Sequence, residues 1–217
     1  METFQVRSIN IGRVKTLARD GRVVHSAIEK RPVERPIYLT KNGFIDDEQG
    51  DRENHGGEDK AVCVYPKDHY VYWERWLGTP LPPSAFGENV TVVGLLETAA
   101  AIGDVFRLGE AIVQVAQPRR PCFKLELRYG RRQLPAKVRE TAFTGFYMRV
   151  LEEGWVRPGD ALVRIERDPA ELTVERVMRA TDARPPDSEA IRSIAAHPAL
   201  AERYRRKLQD LLESFTS

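Results

Sequence analysis

The sequence predicts a mainly β protein with helices, of the α+β class. A barrel or sandwich of short strands covers residues 1–168, and a small all-helical subdomain covers 169–217. Two observations carry this prediction. Up to Asp168 the apolar residues fall in short runs divided by Gly, Pro, Asn and Asp turns. After Asp168-Pro169 no strand-like run remains, and apolar residues recur at helical spacing.

The elements follow in order. Phe4, Val6 and Ser8 alternate loosely with Gln5, Arg7 and Ile9, as a strand does. Asp20-Gly21 then divides two β-prone runs, a hairpin signal because both turn positions need positive φ. Residues 30–60 hold Pro32, Pro36, Gly43, Gly50, Gly56 and Gly57 with few apolar residues, and read as a long irregular connection. AVCVYP (61–66) is a buried-type strand. Tyr70, Trp73 and Leu77 mark a helix that Gly78 stops, and Pro80, Pro82 and Pro83 form a rigid link. NVTVVGL is a strand, and DVFRLGEAIVQVAQ is a hairpin turning at Gly109-Glu110. PRRPCFKLELRYG runs from a loop into a helix. TGFYMRVLEEG is amphipathic and reads as a short helix. RPGDALVRIER is a Pro-Gly turn and a strand.

Beyond Asp168, Val174, Val177 and Met178 define one helix. A second is capped by Asp187 or Ser188. A third has Pro198 in its first turn and the stripe Leu200, Tyr204, Leu208, Leu211, Leu212 and Phe215. Three such helices have too little core to stand alone, so they dock on the body or on a partner.

Composition excludes several classes. Hydrophobic residues are 41% and charged residues 30% of the 217, the balance of an ordinary globular chain. No apolar run is long enough to span a membrane. The opening METFQVRSINIGRVK lacks the apolar core of a secretory signal. Two cysteines, Cys63 and Cys122, cannot supply a four-cysteine cluster or zinc site. Nor do they make a disulfide scaffold, so a reducing, cytoplasmic setting is expected. The formal charge is only +2, but it is segregated. Residues 42–59 hold seven acids against Arg52, while 117–139 hold eight Lys/Arg against Glu126.

Four segments are candidates for chemistry. Cys122 stands in QPRRPCFKLE, where two prolines stiffen the loop and two arginines favour thiolate, the form that attacks or binds metal. The alternative is a small buried apolar residue, and that is the better reading of Cys63 between Val62 and Val64. NHGGEDKAV (54–62) offers Gly56-Gly57 for close backbone approach to an anion, His55 for proton transfer or metal, and Asp59-Lys60 as an anchor. By itself it is also an ordinary glycine turn. EKRPVERPIYLTKNG (29–43) presents Lys30, Arg31, Arg35 and Lys41 between prolines, with an Asn42-Gly43 turn. It suits phosphate or carboxylate, or is simply a solvated loop. GENVTV places Gly87 and Asn89 before a strand. The basic stretch 117–139 raises nucleic-acid binding, yet only Phe123 and Tyr129 interleave as aromatics. A wall beside an anionic cofactor accounts for the same charges. No dinucleotide, P-loop, zincin or hydrolase motif is present.

Together VRSINIGR, NHGGEDKAV, FGENVTV, IGDVFRLGEAIVQVAQPRRPCFKLE and the late RPGD resemble the MOSC domain family, most closely its YiiM-like branch, the 6-N-hydroxylaminopurine resistance proteins. The likeness covers nearly the whole chain. It implies a MOSC β-barrel-like domain over 1–168 and a three-helix C-terminal subdomain over 169–217. It further implies a pterin-based molybdenum cofactor with Cys122 as the thiolate on molybdenum, a soft ligand suited to such a metal.

In that reading Lys30, Arg31, Arg35 and Arg119 hold the cofactor phosphate or pterin, with Arg120 beside them. His55, Gly56 and Gly57 lie near the metal, and His55 assists proton delivery. Asn42, Asp59, Lys60, Gly87 and Asn89 form the rim. The implied reaction reduces N-hydroxylated compounds such as hydroxylaminopurine base analogues, with two electrons and two protons giving the amine and water. No ferredoxin, flavin or nicotinamide module is signalled, so a separate electron-donating reductase is expected. The helices are then a surface for it, a homodimer contact or a cover for the barrel. Other readings are a non-enzymatic molybdenum cofactor-binding or sulfur-carrier module and, behind it, a nucleic-acid-binding protein.

Overall fold

The computed structural model describes residues 1–50 and 56–214. His55 and Phe215 therefore lie outside the described residues. Along the chain, β1 (Thr3–Ile11) leads into the hairpin of β2 (Lys15–Arg19) and β3 (Arg22–Ser26). β4 (Arg31–Pro32), β5 (Ile37–Thr40) and β6 (Gly43–Phe44) follow. β7 (Val62–Pro66) and β8 (Val90–Val93) flank α1 (Tyr70–Leu77). After the hairpin of β9 (Val105–Leu108) and β10 (Ala111–Pro118) come α2 (Phe123–Tyr129) and α3 (Leu134–Thr141). The barrel sequence ends with β11 (Phe146–Glu152), β12 (Gly154–Val156) and β13 (Ala161–Glu166). α4 (Val174–Asp182), α5 (Ser188–Ala196) and α6 (Glu202–Glu213) complete the chain.

Seven strands close a barrel in the order β13, β9, β10, β11, β7, β8, β1, with β1 pairing back to β13. Closure leaves no open edge among these strands. β7 and β8 run parallel because α1 carries the chain back between them. The β2–β3 turn has Asp20 at φ 51 and Gly21 at φ 75, the two positive angles that a tight hairpin needs. Gly78, at φ 72, ends α1 with its N–H donating to Glu74 O.

Four sequence expectations change. TGFYMRVLEEG is strand β11, not a helix. Phe146, Tyr147, Val150 and Leu151 happen to repeat at helical spacing, but β10 and β7 satisfy the backbone on both edges, and pairing on both sides overrides the local period. Residues 30–60 are less irregular than expected, since β4 pairs with β1, and β5 pairs with β6 and β12. The β5–β6 turn falls on Lys41-Asn42, because Thr40 pairs with Gly43. Pro198 lies before α6 rather than in its first turn. The Ala201 N–H is held by Ala116 O of β10, so the helix starts only at Glu202.

The C-terminal helices dock on the barrel. Ile102 N donates to Leu172 O, and Val174 N to Ala100 O. Val177, Ile191, Ile194, Tyr204 and Leu208 belong to the same buried cluster as Val64, Phe106, Val113 and Met148 of the barrel. A second cluster gathers Tyr65, Tyr70, Trp73 and Phe86 with Leu125 and Val138 of α2 and α3. Among the described residues no helix is long and apolar enough to cross a membrane.

Because the main core is shared, Leu208→Ala should destabilise the whole protein, by about 2–5 kcal/mol. Urea unfolding followed by circular dichroism and by tryptophan fluorescence should give coincident curves by the two probes within each protein, with the variant's midpoint at lower urea than the parent's. Helical signal lost at lower urea than the tryptophan signal would show that the helices are an independent unit.

Candidate functional site: a basic cleft around Cys122

β10 ends at Pro118, and the chain crosses to α2 through Arg119-Arg120-Pro121-Cys122. The Arg119 N–H donates to Gly145 O at 3.1 Å, which pins the start of this loop. Cys122 is extended (φ −123°, ψ 165°), precedes α2 and is half-buried. Its thiol borders a cleft of about 630 Å³, open mouth included. The walls come from residues 26–28 and Lys30, 47–50, Phe86, Gly87 and Asn89, Arg119, Arg120 and Lys124, together with Lys60, Cys63 and Tyr147.

Arg119 dominates this cleft. It is only 6% exposed. Its guanidinium donates to Phe86 O at 2.6 Å and to Thr144 O at 3.4 Å. Among the described residues no carboxylate pairs with it, so a full positive charge is buried against neutral groups. Burial works against that charge, yet at the high pH where an arginine titrates the ionised forms of Cys63, Tyr147 and Cys122 hold its pKa above the ordinary value. Burial also pushes the Cys63 thiol up to about 11, the Arg119 charge offsetting only part of the effect. The Tyr147 phenol is raised by burial and then by Cys63, and is lowered by Arg119. At neutral pH the cleft therefore holds a fixed cation beside a protonated thiol and a protonated phenol. An unpaired buried charge is costly, and an anionic ligand would remove the cost.

The surrounding shell explains how Arg119 is held. Glu97 Oε1 accepts from the Gly145 N–H at 2.7 Å, and its other oxygen lies 2.6 Å from His69 Nε2. Buried Glu88 accepts from the Phe86 N–H, Tyr70 Oη and Thr91 Oγ1, so the FGEN segment is fixed from behind. Gly87, at φ 79°, has no room for a side chain, since a Cβ there would stand 2.8 Å from Ile28 Cγ1. Asn89 Nδ2 donates to Asp47 Oδ2 at 2.8 Å, while Asn89 Oδ1 accepts from the Cys63 N–H.

The structure gathers Lys30, Lys60, Gly87, Asn89, Arg119, Arg120 and Cys122 around the one cleft. Lys30 is not free there. It pairs with Asp47 at 2.5 Å, both side chains 7% exposed. Arg31 and Arg35 stand elsewhere, in a groove with Arg13 and Lys15, and Arg35 pairs with Asp46. Lys30 precedes β4 and is drawn inward by its ion pair with Asp47, whereas Arg31 within β4 is exposed. Asn42 and Gly57 border a further groove, and Gly56 lines none of these cavities. Asp59 is engaged with Arg149 at 2.7 Å and with the Glu202 N–H, tying the approach to β7 onto β11 and α6. Arg120 turns its guanidinium away to α4, donating to Thr181 Oγ1 at 3.2 Å and Asp182 Oδ1 at 2.6 Å.

Sequence reasoning missed Tyr147, Asp47, Phe86 and Lys124 as cleft residues. Cys63 is buried as expected, yet it lies in the cleft wall and outside the main core that Val62 and Val64 join. The period of a strand could have shown this, because neighbours of core-facing valines face the other way.

A MOSC domain profile matches residues 51–163, and the chain is a member of the MOSC domain family. A profile of the YiiM-like, 3-alpha helix domain matches residues 172–215, which places the chain with the YiiM-like proteins. The uncharacterized protein YflK of Bacillus subtilis (strain 168) is 46% identical over 94% of this chain and 92% of its own. A protein named Reductase from Gibberella moniliformis is 35% identical over 82% of this chain, but only 32% of its own length is matched. The crystal structure of YiiM from Geobacillus stearothermophilus has a TM-score of 0.82 and 39% identity, covering 96% of this chain and 99% of that one.

The two thiols should differ sharply towards iodoacetamide. At pH 7.5 Cys122 is expected to be carbamidomethylated, while Cys63, 5% exposed with its thiol near 11, stays unmodified until the protein is unfolded. Peptide mass mapping reads the two sites separately. Equal labelling of both would contradict the burial of Cys63.

Proposed function

We propose that this chain is a molybdenum-cofactor-dependent reductase of N-hydroxylated compounds, hydroxylaminopurine-type base analogues among them, working in the cytoplasm. One observation carries this reading: the buried Arg119, paired with no carboxylate among the described residues, lies in the same cleft as the half-buried Cys122 thiol. Among the described residues no three His, Cys, Asp or Glu side chains could hold a bare ion. A metal that arrives inside a chelating, anionic cofactor needs only one protein ligand, and this donor set fits such a group. Cys122 would supply the thiolate, and Arg119 the counter-charge for the cofactor's anionic part, with Lys60 and Lys124 in the same walls. When bound, the cofactor supplies the two-electron chemistry that cleaves the N–O bond.

The protein's own groups do the rest. The balance is R–NHOH plus two electrons and two protons, giving R–NH2 and water. Tyr147 keeps its phenolic proton at neutral pH and sits in the cleft beside Arg119, so Tyr147 Oη is the proton donor we assign among the described residues. Lys30 is neutralised by Asp47 and serves to hold the 47–50 wall in place. Electrons come from outside these 217 residues. The matched third of the Gibberella protein named Reductase is consistent with a donor carried elsewhere.

The decisive comparison is molybdenum and pterin content in protein made by a cofactor-synthesising host, for the parent and Cys122→Ala. The parent should carry both and reduce 6-N-hydroxylaminopurine with reduced methyl viologen, and the variant should lose the metal. Undiminished molybdenum in Cys122→Ala overturns the ligand assignment, and a loaded but inactive parent points to a carrier. Tyr147→Phe should keep its metal while kcat falls by about 100-fold. An unchanged kcat removes Tyr147 as the proton donor.

A further inference from the structure

The basic stretch that follows Cys122 divides in the fold. Arg119 and Lys124 turn into the cleft, Arg128 donates to Ile28 O and Ser84 O, and Arg120 holds α4. What is left over faces outward. Arg139 of α3 joins Arg179 and Arg184 around a groove between α3 and α4, whose other lining residues include Glu140, Asp182 and Met178. The carboxylates here are already engaged. Glu140 accepts from Lys137 Nζ at 2.6 Å, Asp182 from Arg120 at 2.6 Å, and Glu175 from Arg179 at 3.4 Å. Arg139 and Arg184, with exposed Arg131, Arg132 and Arg176 on the same two segments, pair with no carboxylate among the described residues. Residues 131–141 and 174–184 hold seven Lys/Arg against three acids, a larger surplus than the +2 of the entire chain.

This groove adjoins the Cys122 cleft. Arg120 lines the cleft, and its ion-pair partner Asp182 lines the groove, so one ion pair forms the wall between them. We propose that the arginine groove between α3 and α4 is the docking surface for a small acidic electron-carrying protein, of the flavodoxin or ferredoxin kind, that reduces the Cys122 site. The proposal rests on the reductase reading, which needs an external donor.

Guanidinium groups match surface carboxylates with two parallel hydrogen bonds, and unpaired arginines steer an acidic partner at low cost in burial. Nucleic acid suits the groove less well, because no aromatic side chain lines it for bases to stack on. The redox balance is simple. Two reduced carriers dock in turn, each losing one electron, and with two protons one hydroxylamine becomes one amine and one water.

The test uses cofactor-loaded protein with the double variant Arg139→Glu/Arg184→Glu, both positions exposed and neither among the residues lining the Cys122 cleft. Turnover is driven by reduced flavodoxin, by reduced [2Fe–2S] ferredoxin or by reduced methyl viologen, and carrier binding is measured by calorimetry at low and physiological salt. The expected result has four parts. At least one carrier works. Its KM and Kd rise about tenfold or more in the variant. The salt dependence of binding flattens. Methyl viologen turnover and the thermal midpoint stay as in the parent, and Arg139→Lys/Arg184→Lys behaves nearly as the parent.

Unchanged carrier KM and Kd in the charge-reversed protein overturn the proposal. So does failure of both carriers while methyl viologen works, or tight arginine-dependent binding of single-stranded DNA instead. Failure of methyl viologen itself removes the reductase reading, and the docking surface with it.

Discussion

The site depends on one buried charge. Arg119 follows the end of β10, and its guanidinium donates to two backbone carbonyls, Phe86 O at 2.6 Å and Thr144 O at 3.4 Å. A cation in that position is unfavourable for folding unless something nearby compensates it. The protein compensates only in part, with polarisable neutral groups, and surrounds the arginine by rigid structure. Glu97 and His69 hold Gly145, Glu88 holds Phe86, and Asn89 joins Cys63 to Asp47. Each of these partners is itself buried. The charge is therefore presented in a fixed place before any ligand arrives, which is how preorganised electrostatics act.

The rest of the architecture serves the same loop. The barrel fixes β10 and β11, whose ends supply Pro118 and Phe146 on either side of the crossing. The C-terminal helices hold the outer side through Arg120, which reaches Thr181 and Asp182 of α4. Asp59 ties the approach to β7 to Arg149 of β11 and to the start of α6. The helical domain and the barrel share one core, so stability gained in α4–α6 is felt at the Cys122 loop. This gives the helices a part in the site as well as a surface of their own.

Much of this was legible in the sequence, for physical reasons that can be named. Asp20-Gly21, Gly78 and the Asp187 cap act locally, and their residue types alone dictate the backbone. Cys122 between two prolines and two arginines marked a loop that borders the cleft. Long-range choices were not legible. β11 has a helical apolar period that only its two neighbouring strands overrule. Lys30, Arg31 and Arg35 look equivalent as a charged run, yet Asp47 draws Lys30 to the cleft while Arg31 and Arg35 line a separate groove. Arg119 and Arg120 are neighbours in sequence with opposite fates, one facing the thiols and one facing α4. Tyr147 entered the cleft because β11 is a strand that pairs it with Cys63, a register no composition could reveal.

The central proposal is that the Arg119 charge, paired with no carboxylate among the described residues, is what an anionic cofactor would bind. Molybdenum content of purified Arg119→Met, set beside Arg119→Lys and the parent, tests it most directly. Removing a buried charge from a charge pair weakens binding by about 2–5 kcal/mol, so folded Arg119→Met should retain less than about a tenth of the parent's metal. Arg119→Lys should recover a measurable share. Full molybdenum in a folded Arg119→Met protein would contradict the account.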